Sequence, residues 1–329
     1  MAATMGAGFI TGLLTTSDAI ELIEAARAPA DLFGSDAARR YRRLARLTHP
    51  DAQPGDARAV AAFAKLADLW HRHAQVSDSQ VSGPAVARGD LANFYHVRTG
   101  LLKVARKPAD NDLIDREAAA LGSLARHVPA RLGAYFPRLA EVRRVGDPIT
   151  GAERRGNVLA ALDGFISLAE IRRRQPGGID PRDAAWMWRR LLVALGAAHR
   201  AGMRHGAVLP EHGLLHPADP GHVLVDCCYS GRPEEPLPAI VGRYRDWYPP
   251  ETLSRGSSGP ATDIWLATHC MTALMAIRMP AALRTFARGC QLANAARRPQ
   301  DAWQLLAELD DLLEQLYGPR KFRPFVIPA

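Results

Sequence analysis

Apolar positions fall into two regimes along the chain. In the first eighty residues they recur at three- and four-residue intervals, the period of helices buried on one side. Ser17-Asp18 reads as a helix cap, and Ile20, Ile23 and Ala26 follow at helical spacing, with Arg27 just beyond, before Pro29 breaks the pattern. A second helix is predicted from about Ser35 to Thr48, with Ala37, Ala38, Tyr41, Leu44 and Ala45 on one face and Arg39, Arg42, Arg43 and Arg46 on the other. After His49-Pro50-Asp51 and the polar turn AQPGD, a third helix buries Val60, Phe63, Leu66, Ala67, Leu69 and Trp70. From Gln75 to Arg88 the residues are small, polar and punctuated by Gly and Pro, the composition of a linker.

Beyond the linker, strand-like alternation and helical stripes interleave. Strands are predicted within 94–104, 139–145 and 157–162, and a helix over DNDLIDREAAALGSLARHV turns Leu113, Ala120, Leu121 and Leu124 inward. A longer apolar helix, PRDAAWMWRRLLVALGAAHRAG, leads into two short strands, and further helices follow Asp263 and Arg298-Pro299. The predicted class is α+β: a small antiparallel helical domain over residues 1–75, a linker over 76–88 and a mixed domain over 89–329.

Composition changes this picture little. With 47% apolar residues in 329, both domains can bury sizeable cores. The formal charge of +8 comes from 42 basic and 34 acidic residues, and the only lysines are Lys65, Lys103, Lys107 and Lys321. The dominance of Arg and Ala fits a GC-rich bacterial genome. The arginines are spread through amphipathic helices, so they read as solvated faces and no nucleic-acid partner is expected. Cys227, Cys228, Cys270 and Cys290 form no CxxC pair and no Cys/His cluster, which argues for a reducing cytoplasm and against zinc. Residues 1–15 lack a basic leader and are too short to span a bilayer, so no export or membrane segment is expected.

As a bare tripeptide, His49-Pro50-Asp51 would be a helix stop. Its flanks alter that reading. An arginine-faced helix ending YRRLARLTHPD and a returning helix with an aromatic-leucine face resemble a J domain over about Ser17 to Ala74. The resemblance implies that His49, Pro50 and Asp51, with Arg39, Arg42, Arg43 and Arg46, dock on a DnaK-type chaperone and stimulate its ATPase. Proline stiffens such a loop, and arginines steer an acidic partner. No Gly/Phe-rich tail and no zinc-binding cysteine repeats follow.

The later domain resembles a two-lobed protein kinase from about Gly89 to Leu316. Lys103 in an apolar strand and Glu117 on the next helix match the pair that orders nucleotide phosphates, and Asp226 stands in the place of the magnesium-binding Asp. His205-Gly206-Ala207, Pro210 and His212 occupy the catalytic-loop frame, Tyr248-Pro249-Pro250-Glu251 resembles the end of an activation segment, and Asp263 opens the central helix. Glu251 and Arg298 are expected to form a buried pair bracing this lobe. Ala207 replaces the catalytic base, Leu209 the loop lysine and His212 a metal-binding asparagine, and only Gly89 and Gly100 stand where a phosphate-cradling loop should be. No catalytic residue is therefore expected; the resemblance is to a pseudokinase. Between Asp226 and Glu251 the only hydroxyl amino acid other than tyrosine is Ser230. The tail YGPRKFRPFVIPA, with its exposed aromatics, is expected to pack along the lobe.

These features order three functional readings. The first is a co-chaperone whose pseudokinase domain binds a client or regulator and which requires no cofactor of its own. The second is an atypical ATP- and magnesium-using enzyme, with Lys103, Glu117 and Asp226 holding the nucleotide and Glu211 or Asp219 supplying the base. The third is an interaction scaffold. Client, pathway and oligomeric state leave no mark on the sequence.

Overall fold

The computed structural model describes residues 14–33, 37–79, 84–146, 153–219, 221–321, 323 and 325–326. The chain divides into two compact units, Met1–Val81 and Ser82–Ala329. Among the described residues no helix is long and apolar enough to cross a membrane. The expectation for residues 1–15 falls outside the described residues over 1–13, as does the predicted start of the second helix at Ser35.

The first unit is helical: α1 Thr16–Ala25, α2 Pro29–Leu32, α3 Ala37–Thr48 and α4 Ala57–Ser79. The cap of α1 lies two residues before the predicted one. Thr15 Oγ1 accepts the Asp18 N–H at 3.2 Å while the Asp18 carboxylate accepts the Thr15 N–H at 3.0 Å, a reciprocal capping box. Pro29, expected only to break the chain, starts α2, because a first-turn proline lacks a donor the helix would leave unused anyway. Ile20, Ile23, Leu32, Phe33, Leu44, Leu66 and Leu69 form the core. Trp70 closes it, stacked 4.6 Å from Tyr41 and edge-on 5.3 Å from Phe33.

Two expectations fail here. Val60 is 46% exposed, because the buried stripe of α4 runs through Ala59, Ala62, Leu66 and Leu69, one residue out of phase with it. The helix also continues to Ser79, through residues assigned to the linker. QVSDS contains no proline or glycine to stop it, and the first breakers are Gly83 and Pro84.

In the second unit the first strand lies inside the expected linker. The strands are β1 Ala87–Arg88, β2 Ala92–Val97, β3 Gly100–Ala105, β4 Leu139–Gly146 and β5 Glu153–Leu159. They form an antiparallel sheet in the order β1-β2-β3-β5-β4. Gly100 makes the β2–β3 turn with φ of 146°, and a Cβ there would lie 2.1 Å from the Leu159 carbonyl oxygen. The helix α5, Asn111–His127, packs on the sheet through Ile114, Leu121 and Leu124.

A short helix α6, Ala130–Gly133, leads to β4, and beyond β5 the chain becomes mainly helical: α7 Leu168–Arg174, α8 Pro181–Arg200, α9 Pro250–Leu253, α10 Pro260–Met275, α11 Ala281–Cys290 and α12 Ala302–Tyr317. A three-stranded sheet of β6 Ile166–Ser167, β7 Gly213–Leu215 and β8 His222–Leu224 sits among them. The hub is α8. Trp188, Leu191, Leu192 and Leu195 are fully buried between α10 and α12, and Gly196 lets the Trp303 indole approach where a Cβ would lie 2.5 Å from it. One continuous apolar core joins the five-stranded sheet and α5 to these helices.

The expected Glu251–Arg298 pair forms. The Arg298 guanidinium donates to both Glu251 oxygens at 2.7 and 3.0 Å and to the carbonyls of Leu292 and Ala293, and lies 4.5 Å from the Trp265 ring centroid. In the tail, Phe325 is buried with its ring centroid 6.3 Å from that of Trp186, not exposed as expected, while Arg320, Lys321 and Val326 are exposed and Phe322 lies outside the described residues. Removing one member of a buried pair leaves the other charged and alone, so Arg298→Met should destabilise the second unit by about 3 kcal/mol in urea denaturation. A loss below about 1 kcal/mol, the worth of an exposed pair, would show that this contact does not brace the fold.

Candidate functional site

Each unit holds one group of candidate residues. In the first, α3 ends at Thr48 and the chain turns at once, with the N–H groups of Ala52 and Gln53 both donating to the His49 carbonyl at 2.9 and 3.1 Å. The Asp51 N–H donates to His49 Nδ1 at 3.2 Å, and an Asp51 carboxylate oxygen lies 3.6 Å from the same nitrogen. The imidazole rests edge-on against Phe63 at 5.1 Å, and the Asp51 side chain is 92% exposed. Gln53, which the sequence did not single out, donates to Thr16 Oγ1 at 3.0 Å and to the Leu47 carbonyl, tying the loop to the start of α1. Asp56 then caps α4 through the N–H groups of Arg58 and Ala59.

Arg42, Arg46, His49 and Asp51 line a shallow hollow of about 530 Å³ together with Tyr41. Arg39 and Arg43 are exposed on the same helix outside it. The arrangement is a mostly basic face with one exposed carboxylate, that of Asp51.

In the second unit, Lys103 of β3 is buried and its Nζ lies 2.9 Å from Glu117 Oε1, 2.8 Å from Asp226 Oδ1 and 3.1 Å from Cys228 Sγ. The three residues expected to meet are thus together. Asp226 reaches the cluster from a left-handed turn, φ 67°, directly after β8. Phe94, cross-strand partner of Lys103, places its ring centroid 5.9 Å from Nζ. Asn157, also missed, donates to Glu117 Oε2 at 3.0 Å and to the Ile114 carbonyl, locking the glutamate to β5. Its strand, ERRGNVL, carries other polar residues, so nothing local in the sequence marks it.

The second oxygen of Asp226 faces His212 Nε2 at 3.1 Å, while His212 Nδ1 lies 2.7 Å from the Ala207 carbonyl. Both ring nitrogens meet acceptors, which only the doubly protonated ring satisfies. Burial pushes the His212 pKa down, but the Asp226 carboxylate overrides it and the net shift is upward. Asp226 is held well below the usual carboxylate range: burial opposes this, and Lys103 and His212 outweigh it. Burial likewise works against a charged Lys103, and Asp226, Cys228 and Glu117 hold the ammonium in place.

His205, two residues before Ala207, is the opposite case. Its Nε2 lies 3.1 Å from the Val225 carbonyl and its Nδ1 accepts the Ala207 N–H at 3.3 Å, the pattern of a neutral ring, and burial lowers its pKa to about 4. Asp263 anchors this loop from α10, accepting the N–H groups of His205 and Gly206 at 2.8 Å each, with His199 Nε2 at 2.9 Å.

Ala207 and Leu209 point into the core. Glu211 accepts from Tyr244 Oη at 2.9 Å, Asp219 is exposed after β7, and among the described residues neither bonds to the Lys103 cluster. Ser230 is buried and out of reach of a modifying enzyme. Glu117, Asp226 and Cys228 bring three ligand atoms within 4.8 Å of one another, but the Lys103 ammonium already contacts all three and His212 takes the other Asp226 oxygen. This donor set does not fit magnesium, which needs free oxygen ligands and disfavours sulfur.

Lys103→Met would leave two buried carboxylates facing each other, and a loss of about 3–5 kcal/mol is expected by denaturation. Retention of wild-type stability would mean that the cluster opens to water. A second outcome concerns pH. Burial lowers the pKa of His222, whose two ring nitrogens have no hydrogen-bond partner among the described residues, to about 3. Its folded pKa, like that of His205, lies below the ordinary 6.5, so stability is complete above pH 6.5 and is lost as pH falls through the window down to about 4 and about 3. His222→Leu should therefore raise the thermal midpoint more at about pH 5 than at about pH 7; an equal change at both would refute the neutral buried ring.

No model of a known protein family matches the chain, and no curated protein matches it in sequence.

Proposed function

We propose that the protein is a co-chaperone: its first unit acts as a J domain that stimulates the ATPase of a DnaK-type chaperone, and its second as a catalytically inactive kinase-like module that binds a client or regulator. The observation that carries the reading is the His49–Asp51 loop, tied down by Gln53, with the Asp51 carboxylate fully presented at the end of an arginine-bearing helix. A loop held this way loses little entropy on docking, and the surrounding charges supply on-rate and register against an acidic partner.

The inactive character of the second module is supported by chemistry. A phosphotransferase needs a base near the acceptor and a carboxylate free to hold metal. Here the methyl group of Ala207 is buried, and both Asp226 oxygens are engaged by cations of the protein itself. The same saturation weighs against the atypical-enzyme reading.

The test is single-turnover ATP hydrolysis by a DnaK-type chaperone with and without the purified chain. Wild type should accelerate hydrolysis, and His49→Gln, with an unchanged melting temperature, should not. If His49→Gln stimulates as well as wild type, the J-domain reading fails. If neither stimulates, the scaffold reading takes its place. A saturating ligand at about a hundred times its Kd adds ~2.7 kcal/mol, so a Mg-ATP-induced rise in unfolding temperature that is present in wild type and absent in Lys103→Met would revive the enzyme reading.

A further inference from the structure

The second unit carries a basic cavity that none of this uses. It measures about 610 Å³, within the range of small-molecule sites, and six cations line it: Arg182, Arg189 and Arg190 on α8, and Arg320, Lys321 and Arg323 after α12. Residues 182, 186, 189 and 190 share one face of α8, so the three α8 cations converge on one space. The tail is pinned opposite them by Phe325 against Trp186 and by Arg323, which pairs with Asp183 at 2.9 Å and Asp180 at 3.0 Å.

Charge does not balance there. Arg189 pairs with Asp310 and Arg323 with the two aspartates, but Arg182, Arg190, Arg320 and Lys321 form no ion pair among the described residues. Arg190 donates to the neutral Tyr135 hydroxyl at 2.7 Å, which orients its guanidinium without cancelling its charge. Arg182 lies 5.1 Å from the ring centroid of Tyr317. A solvated helix face would spread such charges over the surface; here they surround a concavity, which concentrates their field on whatever enters. Trp186 and Tyr317 add apolar walls.

We propose that this cavity binds a small molecule carrying a chain of two or more phosphate groups, such as a nucleoside di- or triphosphate. Guanidinium forks match phosphate oxygens, and a triphosphate chain carries enough negative charge to satisfy the four unpaired cations. The site is separate from the Lys103 cluster and does not depend on the co-chaperone reading.

Calorimetric titration of the full chain at low salt, without magnesium, tests this with sodium tripolyphosphate, ATP and citrate, against wild type and the double variant Arg320→Ser/Lys321→Ser. Both substituted residues are exposed, so the variant should keep its melting temperature. Tripolyphosphate and ATP should bind wild type, ATP the tighter through its ring, and the double variant should lose about tenfold or more in affinity for both. Arg182→Gln should weaken binding in the same sense. No binding at millimolar tripolyphosphate overturns the proposal. So does unchanged affinity in the double variant, which would place the ligand elsewhere, and so does citrate binding as tightly as tripolyphosphate, which would mean that phosphate is not what is recognised.

Discussion

A single ammonium group organises the second unit. Lys103 Nζ has to be buried, because β3 lies within the sheet and Phe94 and α5 cover it, and a buried ammonium survives only among carboxylates. It finds one 14 residues away on α5 and another 123 residues away after β8. The cost of leaving any of the three alone in a low-dielectric interior makes strand, helix and turn interdependent. The left-handed backbone of Asp226, an unfavourable conformation outside glycine, is held in place by the two cations its carboxylate serves.

The loop between α8 and β7 shows how backbone partners decide protonation at similar burial. His205 and His212 lie seven positions apart and both are enclosed by protein. One faces a carbonyl and an N–H and stays neutral; the other faces a carbonyl and a carboxylate and is charged. The imidazolium of His212 and the ammonium of Lys103 together do for Asp226 what a bound divalent cation does for an isolated carboxylate. The protein carries its own counter-charge.

Much of this was visible in the order of residues. Lys103 stood out as a lysine within an apolar run in an arginine-rich chain, and Glu117, Asp226, Glu251 and Arg298 were named through the resemblance of their motifs to those of a protein kinase. What escaped depended on three dimensions. Val60 was placed inside by an apolar count that ignored the phase set by Ala59 and Ala62. Gln53 and Asn157 are polar residues whose partners lie 37 and 40 residues away, so no local pattern marks them. The end of α4 was missed because linker composition was read as loss of helix, although nothing before Gly83 forces the helix to stop. The tail arginines looked like ordinary solvated charge, since only the fold brings them opposite Arg182 and Arg190.

The burial of α8 has a consequence for synthesis. This helix is apolar around most of its circumference, and α10 and α12, which cover it, are encoded 60 to 120 residues later. As the chain leaves the ribosome, Trp188, Leu191 and Leu195 must therefore stay exposed until Trp303 and the rest of α12 have emerged. The helical half of the unit cannot mature from its N-terminal side in stages, and its nascent form is itself the kind of sticky, half-built surface that chaperones hold.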